Sequence, residues 1–294
     1  MENLHINWYP GHMKKTRELI QKNMSIVDVI VEVIDSRIPK SSKNPDIAEL
    51  SGHKPTILLL NKEDLSDKEE TKKWIEYYRS EGLTVLPFNG TTGEGMKELM
   101  KAVEEAFRPK LERLQERGLK NRSVRLMIAG IPNSGKSTLI NRLAGRKSTQ
   151  TGDRPGVTKG KQWVKLKGDL EMLDTPGILW PRFDDQEVAL MLAFTGAIKD
   201  EVLDVEEIAF ALLDRLKKRY PTNLQERYGV EVDPDMETIV LMEEIAEKRG
   251  FILRGREIDY KRTADAILND FREGKTGRIT LEEYKLEECK KEEQ

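Results

Sequence analysis

Cysteine, long apolar runs and net charge are all scarce in this chain. The single cysteine, Cys289, excludes a disulfide framework and a zinc site built from several cysteines. No run of eighteen or more apolar residues occurs, so we expect no membrane-spanning helix and no membrane partner. The N-terminal segment also lacks the apolar core of a signal peptide. These absences predict a cytoplasmic protein.

The net charge of −2 hides an uneven distribution along the chain. Residues 1–183 contain 32 Lys and Arg against 24 Asp and Glu, which gives +8, whereas residues 184–294 contain 18 against 28, which gives −10. Two basic stretches, 108–125 and 142–168, are dense enough to contact a polyanion, although a solvated surface explains either of them equally well.

Short apolar runs alternate with helical patterns in the first 182 residues. Strands are predicted at 27–34, 55–60, 84–88 and 124–129, helices at about 67–81, 94–107 and 136–144, and a hairpin from 161–167 to 169–174. The alternation predicts an α/β, doubly wound and mainly parallel sheet, with ligands at the carboxyl ends of its strands. Residues 183–294 show helical periodicity instead, which predicts a small all-α second domain.

A phosphate-binding loop is predicted between the fourth strand and the next helix. The sequence from Gly130 to Ser137 matches the pattern GxxxxGK[ST] in the strand–helix context that supports such a match. Its backbone N–H groups would wrap a phosphate at a helix N-terminus. Lys136 would bridge the β- and γ-phosphates, and the Ser137 hydroxyl would bind Mg²⁺. The other residues of this segment expected to line the nucleotide are Ser134, Gly135 and Thr138.

A second phosphate-sensing motif, Asp174-Thr-Pro-Gly177, follows an apolar run. Asp174 would hold Mg²⁺ through water, and the Gly177 N–H would sense the γ-phosphate. Thr158, in a Gly- and Thr-rich stretch, is the candidate switch threonine that reaches Mg²⁺. A strand-end turn would explain the motif in isolation, but the loop upstream favours a role at the nucleotide.

A base-reading motif, Asn61-Lys-Glu-Asp64, directly follows the second predicted strand and matches NKxD. The Asp64 carboxylate would accept hydrogen bonds from guanine N1–H and the 2-amino group, a donor pair that adenine lacks. The Lys62 stem would cover the base, and Asn61 would tie neighbouring loops together. A helix-capping role is the alternative for Asp64.

The segment Asn89-Gly-Thr-Thr-Gly93 follows the third strand, where GTPases place a backbone N–H for guanine O6. Gly90 is the candidate donor and Asn89 a further nucleotide-binding candidate, although the usual Ser-Ala pair is absent. The base-reading motif precedes the phosphate-binding loop, so the sequence predicts a GTPase with circularly permuted motifs.

In this order the motifs resemble those of the ribosome biogenesis GTPase A family (YlqF/RbgA). The resemblance covers nearly the whole chain and also rests on Trp8–Met13, Asp35–Pro39, Ser42–Asp46, Asp174–Pro181 and Thr276–Thr280. It implies a permuted P-loop GTPase domain at 1–182 and an RNA- or ribosome-binding helical domain at 183–294. It further implies a monomeric bacterial enzyme that binds GTP and GDP and assists late assembly of the large ribosomal subunit. The partner would be a precursor particle, with its rRNA and ribosomal proteins, and GTP hydrolysis would drive release from it.

The DxxG motif of this chain is not followed by the residue that usually orients the attacking water. Many GTPases carry a Gln after DxxG, whereas Ile178 stands here. The resemblance implies that His12 orients the water, acting with Lys136 and Thr158; a surface histidine that contacts RNA is the alternative. The resemblance also implies that Asn133 helps to hold K⁺ against the phosphates, unless Asn133 only stabilises the loop.

Further alternatives remain open at this stage. Arg37 is either an arginine finger or, as we favour, a residue that shapes its loop. The helical domain would need a local basic helix face to meet RNA. One candidate face consists of Arg215, Lys217, Lys218 and Arg219, and the other of Arg254 and Arg256.

Three other functions are alternatives to that of an assembly GTPase. A binding module gated by GTP, with incidental turnover, is favoured by Ile178. A permuted GTPase of the small subunit is disfavoured by the single cysteine, because the families known to us carry zinc-binding cysteines. An ATPase is disfavoured by the motif at Asn61–Asp64.

Overall fold

Two compact units make up the part of the chain that the computed structural model describes. The described residues are 13–118, 122–145, 163–166, 170–173 and 185–285. Within them, the sheet unit comprises 13–173 and 282–285, and the helical unit comprises 185–281. No helix in these ranges is both long and apolar enough to cross a membrane.

The sheet unit contains a six-stranded sheet. Its strands are β1 (Val29–Asp35), β2 (Thr56–Asn61), β3 (Thr84–Phe88), β4 (Val124–Ala129), β5 (Trp163–Lys165) and β6 (Leu170–Leu173). They are ordered β3-β2-β1-β4-β6-β5; β5 pairs antiparallel with β6, and every other pair is parallel. The predicted α/β class and mainly parallel sheet are confirmed.

Five helices accompany the sheet among the described residues. They are α1 (Met13–Met24), α2 (Pro45–Ser51), α3 (Lys68–Ser80), α4 (Met96–Glu116) and α5 (Lys136–Ala144). The sequence patterns did not predict α1 or α2, although Asn44 caps α2 by accepting from Asp46 N at 2.9 Å and Pro45 follows it. Helix α4 extends beyond its predicted end because Leu111 and Leu114 continue its apolar face.

Both faces of β1 are buried, as expected for a central parallel strand. Val29, Val31 and Val33 pack on one side, in the core that includes residues of α4 and α5. Ile34 packs on the other side, in a cluster with Trp74 of α3. This burial holds the carboxyl end of β1 rigidly beside its neighbours, where the loops of the candidate site begin.

Glu32 is a charged exception inside β1. Its side chain is buried, and its Oε1 accepts a hydrogen bond from Asn44 N at 2.8 Å. Burial raises the pKa of Glu32 to about 7, because desolvation outweighs the Asn44 hydrogen bond and nearby Lys43. The native state therefore binds this proton more tightly than the unfolded chain does.

Glu32→Gln is expected to flatten the pH dependence of stability. With the native pKa raised from 4.5 to about 7, stability from this group is full below pH 4.5 and is lost as pH rises towards 7. The loss in the wild type is up to roughly 3 kcal/mol, and Gln, which can still accept from Asn44, should avoid it. Urea unfolding at several pH values measures the effect, with the exposed Glu104→Gln as control. The same change in unfolding free energy with pH in Glu32→Gln and in the wild type would contradict the prediction.

The helical unit is built around one central helix. Its elements are α6 (Gln186–Phe194), α7 (Val205–Arg219), α8 (Pro221–Tyr228), α9 (Thr238–Arg249) and α10 (Tyr260–Arg272). Helix α7 packs against the other four. Arg272 donates to the carbonyls of Ala193 and Phe194 and pairs with Asp200 at 2.7 Å, which joins α10 to the end of α6. The apolar periodicity predicted α6, α7 and α9, whereas α8 and α10 were not predicted individually.

The C-terminal segment, residues 282–285, differs from the predicted domain division. The sequence grouped it with the helices, but it belongs to the sheet unit. The Trp74 indole donates to Glu282 O at 2.9 Å, and the Tyr284 ring packs against Trp74 and Tyr77. The Glu282 carboxylate accepts from the backbone N–H groups of Lys40 and Ser41. No local pattern in the sequence signals these contacts.

Candidate nucleotide-binding site

The carboxyl ends of the parallel strands bring three predicted loops to one edge of the sheet. In the strand register, Asp35 lies beside Asn61, and Asn61 lies beside Phe88. The segments that begin at Asn61 and Asn89 are therefore adjacent. The loop beginning at Gly130 leaves β4, the other neighbour of β1. This edge is where doubly wound sheets bind ligands.

The phosphate-binding loop has the expected strand–loop–helix form, from the end of β4 to the start of α5. Gly130 has a φ of 145°, and a Cβ at this position would lie 2.3 Å from Val33 O. Gly135 has a φ of 96°. Asn133 is left-handed with a φ of 58°, a conformation that Asn tolerates better than most residues. The residue types at these positions follow from the backbone path of the loop.

The side chains of the same loop stabilise it from inside. Ser134 is fully buried, and its Oγ donates to Ile131 O at 3.0 Å. Lys136 is also buried, and its Nζ donates to the same carbonyl. Ser137 is exposed in the first turn of α5. A lysine and a serine at the N-terminus of a helix suit an anion with an associated cation.

Asn61 joins the phosphate-binding loop to the segment after β3. This residue is buried; its Nδ2 donates to Ser134 O at 2.7 Å, and its Oδ1 accepts from Gly90 N at 3.0 Å. Both ends of the amide are thereby used, as expected for a residue that ties loops together. The Gly90 N–H already has this partner, so its predicted contact with guanine O6 would require it to exchange Asn61 for the base.

The segment after β3 is shaped by Asn89 and held by Arg142. The Asn89 Oδ1 accepts from Thr91 N at 2.8 Å and Thr92 N at 3.0 Å, which forms a tight turn. Arg142, on α5, donates through Nε to Gly90 O at 2.6 Å and also donates to Thr91 O. The structure therefore shows Asn89 shaping the loop. Arg142 carries no motif signal and was missed by sequence reasoning.

Asp64 lies in a 3₁₀ turn, Glu63–Leu65, immediately after Lys62. The cap of α3 is Asp67, which accepts from Glu69 N at 2.8 Å and Glu70 N at 3.0 Å, so Asp64 does not have the alternative capping role. Asp64 is half-buried, and its carboxylate has no hydrogen-bond or ion-pair partner among the residues that the structure describes. A carboxylate in this position is suited to accept the donor pair of guanine.

Lys62 ends in a buried cluster with Asp35 and Arg37. The Asp35 carboxylate is fully buried and lies 2.8 Å from both Lys62 Nζ and Arg37 Nη2. Burial alone would raise the pKa of Asp35, but the two cations outweigh it and hold the pKa well below its usual value. Arg37 is only 1% exposed, which does not fit an arginine finger and supports the loop-shaping interpretation.

Four predicted functional residues lie outside the described residues. They are His12, Thr158, Asp174 and Gly177. The nucleotide-binding candidates that the structure does bring together belong to the base-reading motif, the segment after β3 and the phosphate-binding loop. In the ranges described, no group of three or more His, Cys, Asp or Glu could hold a metal ion.

Known proteins resemble this chain along nearly its whole length. A sequence profile described as "50S ribosome-binding GTPase" matches residues 125–243. The ribosome biogenesis GTPase A of Bacillus cereus is 43% identical and covers 94% of this chain and 93% of its own. That of Thermotoga maritima is 32% identical and covers 94% of both. GNP-bound YlqF from T. maritima has a TM-score of 0.64 at 28% identity, over 92% of this chain and 98% of the other. This chain therefore belongs to the ribosome biogenesis GTPase A family, whose members are GTP hydrolases that act in ribosome biogenesis.

Proposed function

We propose that this chain is a monomeric, cytoplasmic assembly factor of the large ribosomal subunit, controlled by GTP. Its GTP-bound form docks on a late precursor particle, contacts rRNA and ribosomal proteins, and leaves after hydrolysis. The observation that carries the proposal is the double link of Asn61, which holds the phosphate-binding loop and the segment after β3 in one site. The profile match, whose description names the 50S subunit, supports the choice of particle.

The helical unit offers one of its two predicted basic faces for RNA. Arg254 and Arg256 are exposed, next to the exposed side chains of Ile252 and Leu253. The basic groups of the other face all have partners within the unit: Arg215 pairs with Glu187, Lys217 and Lys218 pair with Asp214, and Arg219 donates to Leu281 O. Of these side chains, only that of Lys218 is exposed. Arg254 and Arg256 are therefore the residues of this unit that would contact RNA.

The basic stretch 108–125 likewise contains some residues that form internal ion pairs and others that are exposed. Lys110 and Arg122 pair with the buried carboxylate of Asp28, which stabilises the sheet unit. The exposed arginines of the stretch are Arg108, Arg113 and Arg117. Exposed arginines of this kind bind phosphates and position a protein on RNA without reading its sequence.

We infer the roles in phosphate and cation binding from the geometry of the loops and from the family resemblance. Lys136 would bind the β- and γ-phosphates, Ser137, Thr158 and Asp174 would hold Mg²⁺, and Asn133 would help to hold K⁺. The cations would neutralise charge on the phosphates. Ile178 has no hydrogen-bonding group, so we assign the orientation of the attacking water to a neutral His12 imidazole.

Hydrolysis measured with and without ribosomal particles tests the proposal. Single-turnover rates should rise by about 10²-fold or more when precursors of the large subunit are added, and should be higher in KCl than in NaCl. His12→Ala should bind the particles yet lose most of this stimulation. Co-sedimentation with GTP analogue, with GDP and without nucleotide should show binding mainly with the analogue. The absence of nucleotide-dependent sedimentation would overturn the proposal.

The competing function is a binding module gated by GTP. Ile178, which cannot orient water, favours it. It predicts nucleotide-dependent sedimentation with no acceleration of hydrolysis, whereas an enzyme shows both. Equal rates in KCl and NaCl would remove K⁺ from the proposal, and an unchanged rate for His12→Ala would remove His12.

A further inference from the structure

The first residues of the segment from Asp35 to Pro39 hold the start of the base-reading loop, Asn61–Asp64. In the parallel register of β1 and β2, Asp35 lies beside Asn61. The next residue, Ser36, donates to Asn61 O twice, from its backbone N at 2.9 Å and from its Oγ at 2.8 Å. The Ser36 side chain is fully buried. This segment therefore fixes the backbone where the base-reading loop begins.

Asp35 fixes the next residue of that loop through its side chain. The Lys62 ammonium donates to Asp35 Oδ2 at 2.8 Å, and only 22% of the Lys62 side chain is exposed. The backbone of Lys62 is left-handed, with a φ of 62°, which is costly for a residue with a Cβ. The ion pair thus holds the Lys62 side chain on the buried Asp35 carboxylate.

Arg37 sets the orientation of the Asp35 carboxylate. Its guanidinium binds both oxygens, from Nε to Oδ1 at 2.9 Å and from Nη2 to Oδ2 at 2.8 Å, and its backbone N donates to Oδ1 at 3.1 Å. A bidentate pair of this kind is geometrically complete without a third charge. The Lys62 ammonium is therefore an additional link, from this pair to the base-reading loop.

We propose that Asp35 is a positioning residue for nucleotide binding. Oriented by Arg37, it holds the Lys62 ammonium so that the aliphatic stem of Lys62 is in place to cover the guanine base. The inference rests on the proposed function, in which Asn61–Asp64 reads guanine. Ordering a long side chain before the ligand arrives lowers the entropic cost of binding. Asp35 acts through Lys62 and does not itself touch the nucleotide.

A double-mutant cycle on GDP affinity tests the proposal. Asp35→Asn and Lys62→Met should each weaken GDP binding by about tenfold or more, measured by calorimetry on the full chain. When both changes are combined, Asp35→Asn should add less than about a twofold loss to Lys62→Met, because its only route to the base is gone. The proposal would be overturned if Asp35→Asn lowered GDP affinity equally in the wild type and in Lys62→Met, or lowered it in neither.

Asp28→Asn is the matched control for removing a buried, ion-paired carboxylate. Asp28 precedes β1 at the opposite end of the strand; its side chain is fully buried, and it accepts from Arg125 N at 2.9 Å. Its replacement should lower the midpoint of unfolding and change GDP affinity by less than about twofold. If Asp28→Asn weakens GDP binding as much as Asp35→Asn does, Asp35 has only a general structural role.

Two further variants keep the test decisive. If Asp35→Asn does not fold, the cycle is run with Asp35→Asn/Arg37→Gln, which removes both members of the fully buried Asp35–Arg37 pair and leaves only the partly exposed Lys62 ammonium without its carboxylate. It should give the same loss of GDP affinity, and the loss should again disappear with Lys62→Met. Asp64→Asn tests the base-reading assignment separately. Suppose that Asp64→Asn loses its preference for guanine, but the losses of GDP affinity from Asp35→Asn and Lys62→Met add up in the double variant. The base-reading assignment then stands, and only the positioning role of Asp35 is wrong.

Discussion

Asp64→Asn is expected to weaken GDP binding by about 10²- to 10⁴-fold and to make xanthosine diphosphate the preferred ligand. Guanine presents two neighbouring donors, N1–H and the 2-amino group, to the carboxylate. Xanthine replaces the amino group with a carbonyl, and an asparagine amide offers one donor and one acceptor to match it. Competition of GDP and xanthosine diphosphate against a fluorescent nucleotide measures the ratio of the two affinities.

Glu63→Gln is the control for this change in base preference. It removes one negative charge from the same 3₁₀ turn and leaves the Asp64 carboxylate in place. It should retain the guanine preference. A similar preference for GDP over xanthosine diphosphate in Asp64→Asn and the wild type would show that the motif does not read the base.

Gly130→Ala is expected to destabilise the sheet unit and to abolish nucleotide binding. The new Cβ would lie 2.3 Å from the backbone oxygen of Val33, on the central strand, and the φ of 145° is unfavourable for alanine. Because β1 is buried on both faces, neither backbone can move away easily. We expect a loss of about 3–5 kcal/mol, the combined cost of backbone strain and steric overlap. Urea unfolding and GDP calorimetry measure the two effects.

Gly82→Ala separates backbone strain from steric overlap. Gly82 also has a positive φ, 79°, but a Cβ there would meet nothing within 4 Å. This variant should lose only about 1–2 kcal/mol and should bind GDP normally. If the two alanine variants were equally stable, the close approach of Gly130 to Val33 would not matter in solution.

Sequence patterns were sufficient to predict the sheet and the loops that form the candidate nucleotide-binding site. Buried parallel strands appear as short β-branched runs, and the run at β1 was recognised in this way although it contains Glu32. The phosphate-binding loop was identified from its glycines and lysine. The structure explains their spacing, because Gly130 and Gly135 occupy conformations that glycine tolerates best.

The contacts that organise the site could not be predicted in the same way. The hydrogen bonds of Arg142 to Gly90 O and Thr91 O depend on how α5 lies against the segment after β3, and no local pattern specifies that arrangement. The Asp35–Lys62 pair depends on the register of β1 against β2, which joins residues separated by 27 positions. The sequence left Arg37 as an arginine finger or a loop-shaping residue and did not indicate that it pairs with Asp35, a pairing that allows both side chains to be buried.

The C-terminal segment has a consequence for the order in which the chain folds during synthesis. Domains generally fold as units from the N-terminus while the chain emerges. Here the backbone N–H groups of Lys40 and Ser41 both donate to the Glu282 carboxylate, which lies more than 240 residues later in the chain. The Trp74 indole likewise donates to Glu282 O. These contacts of the sheet unit can therefore form only after residues 185–281 of the helical unit have been made.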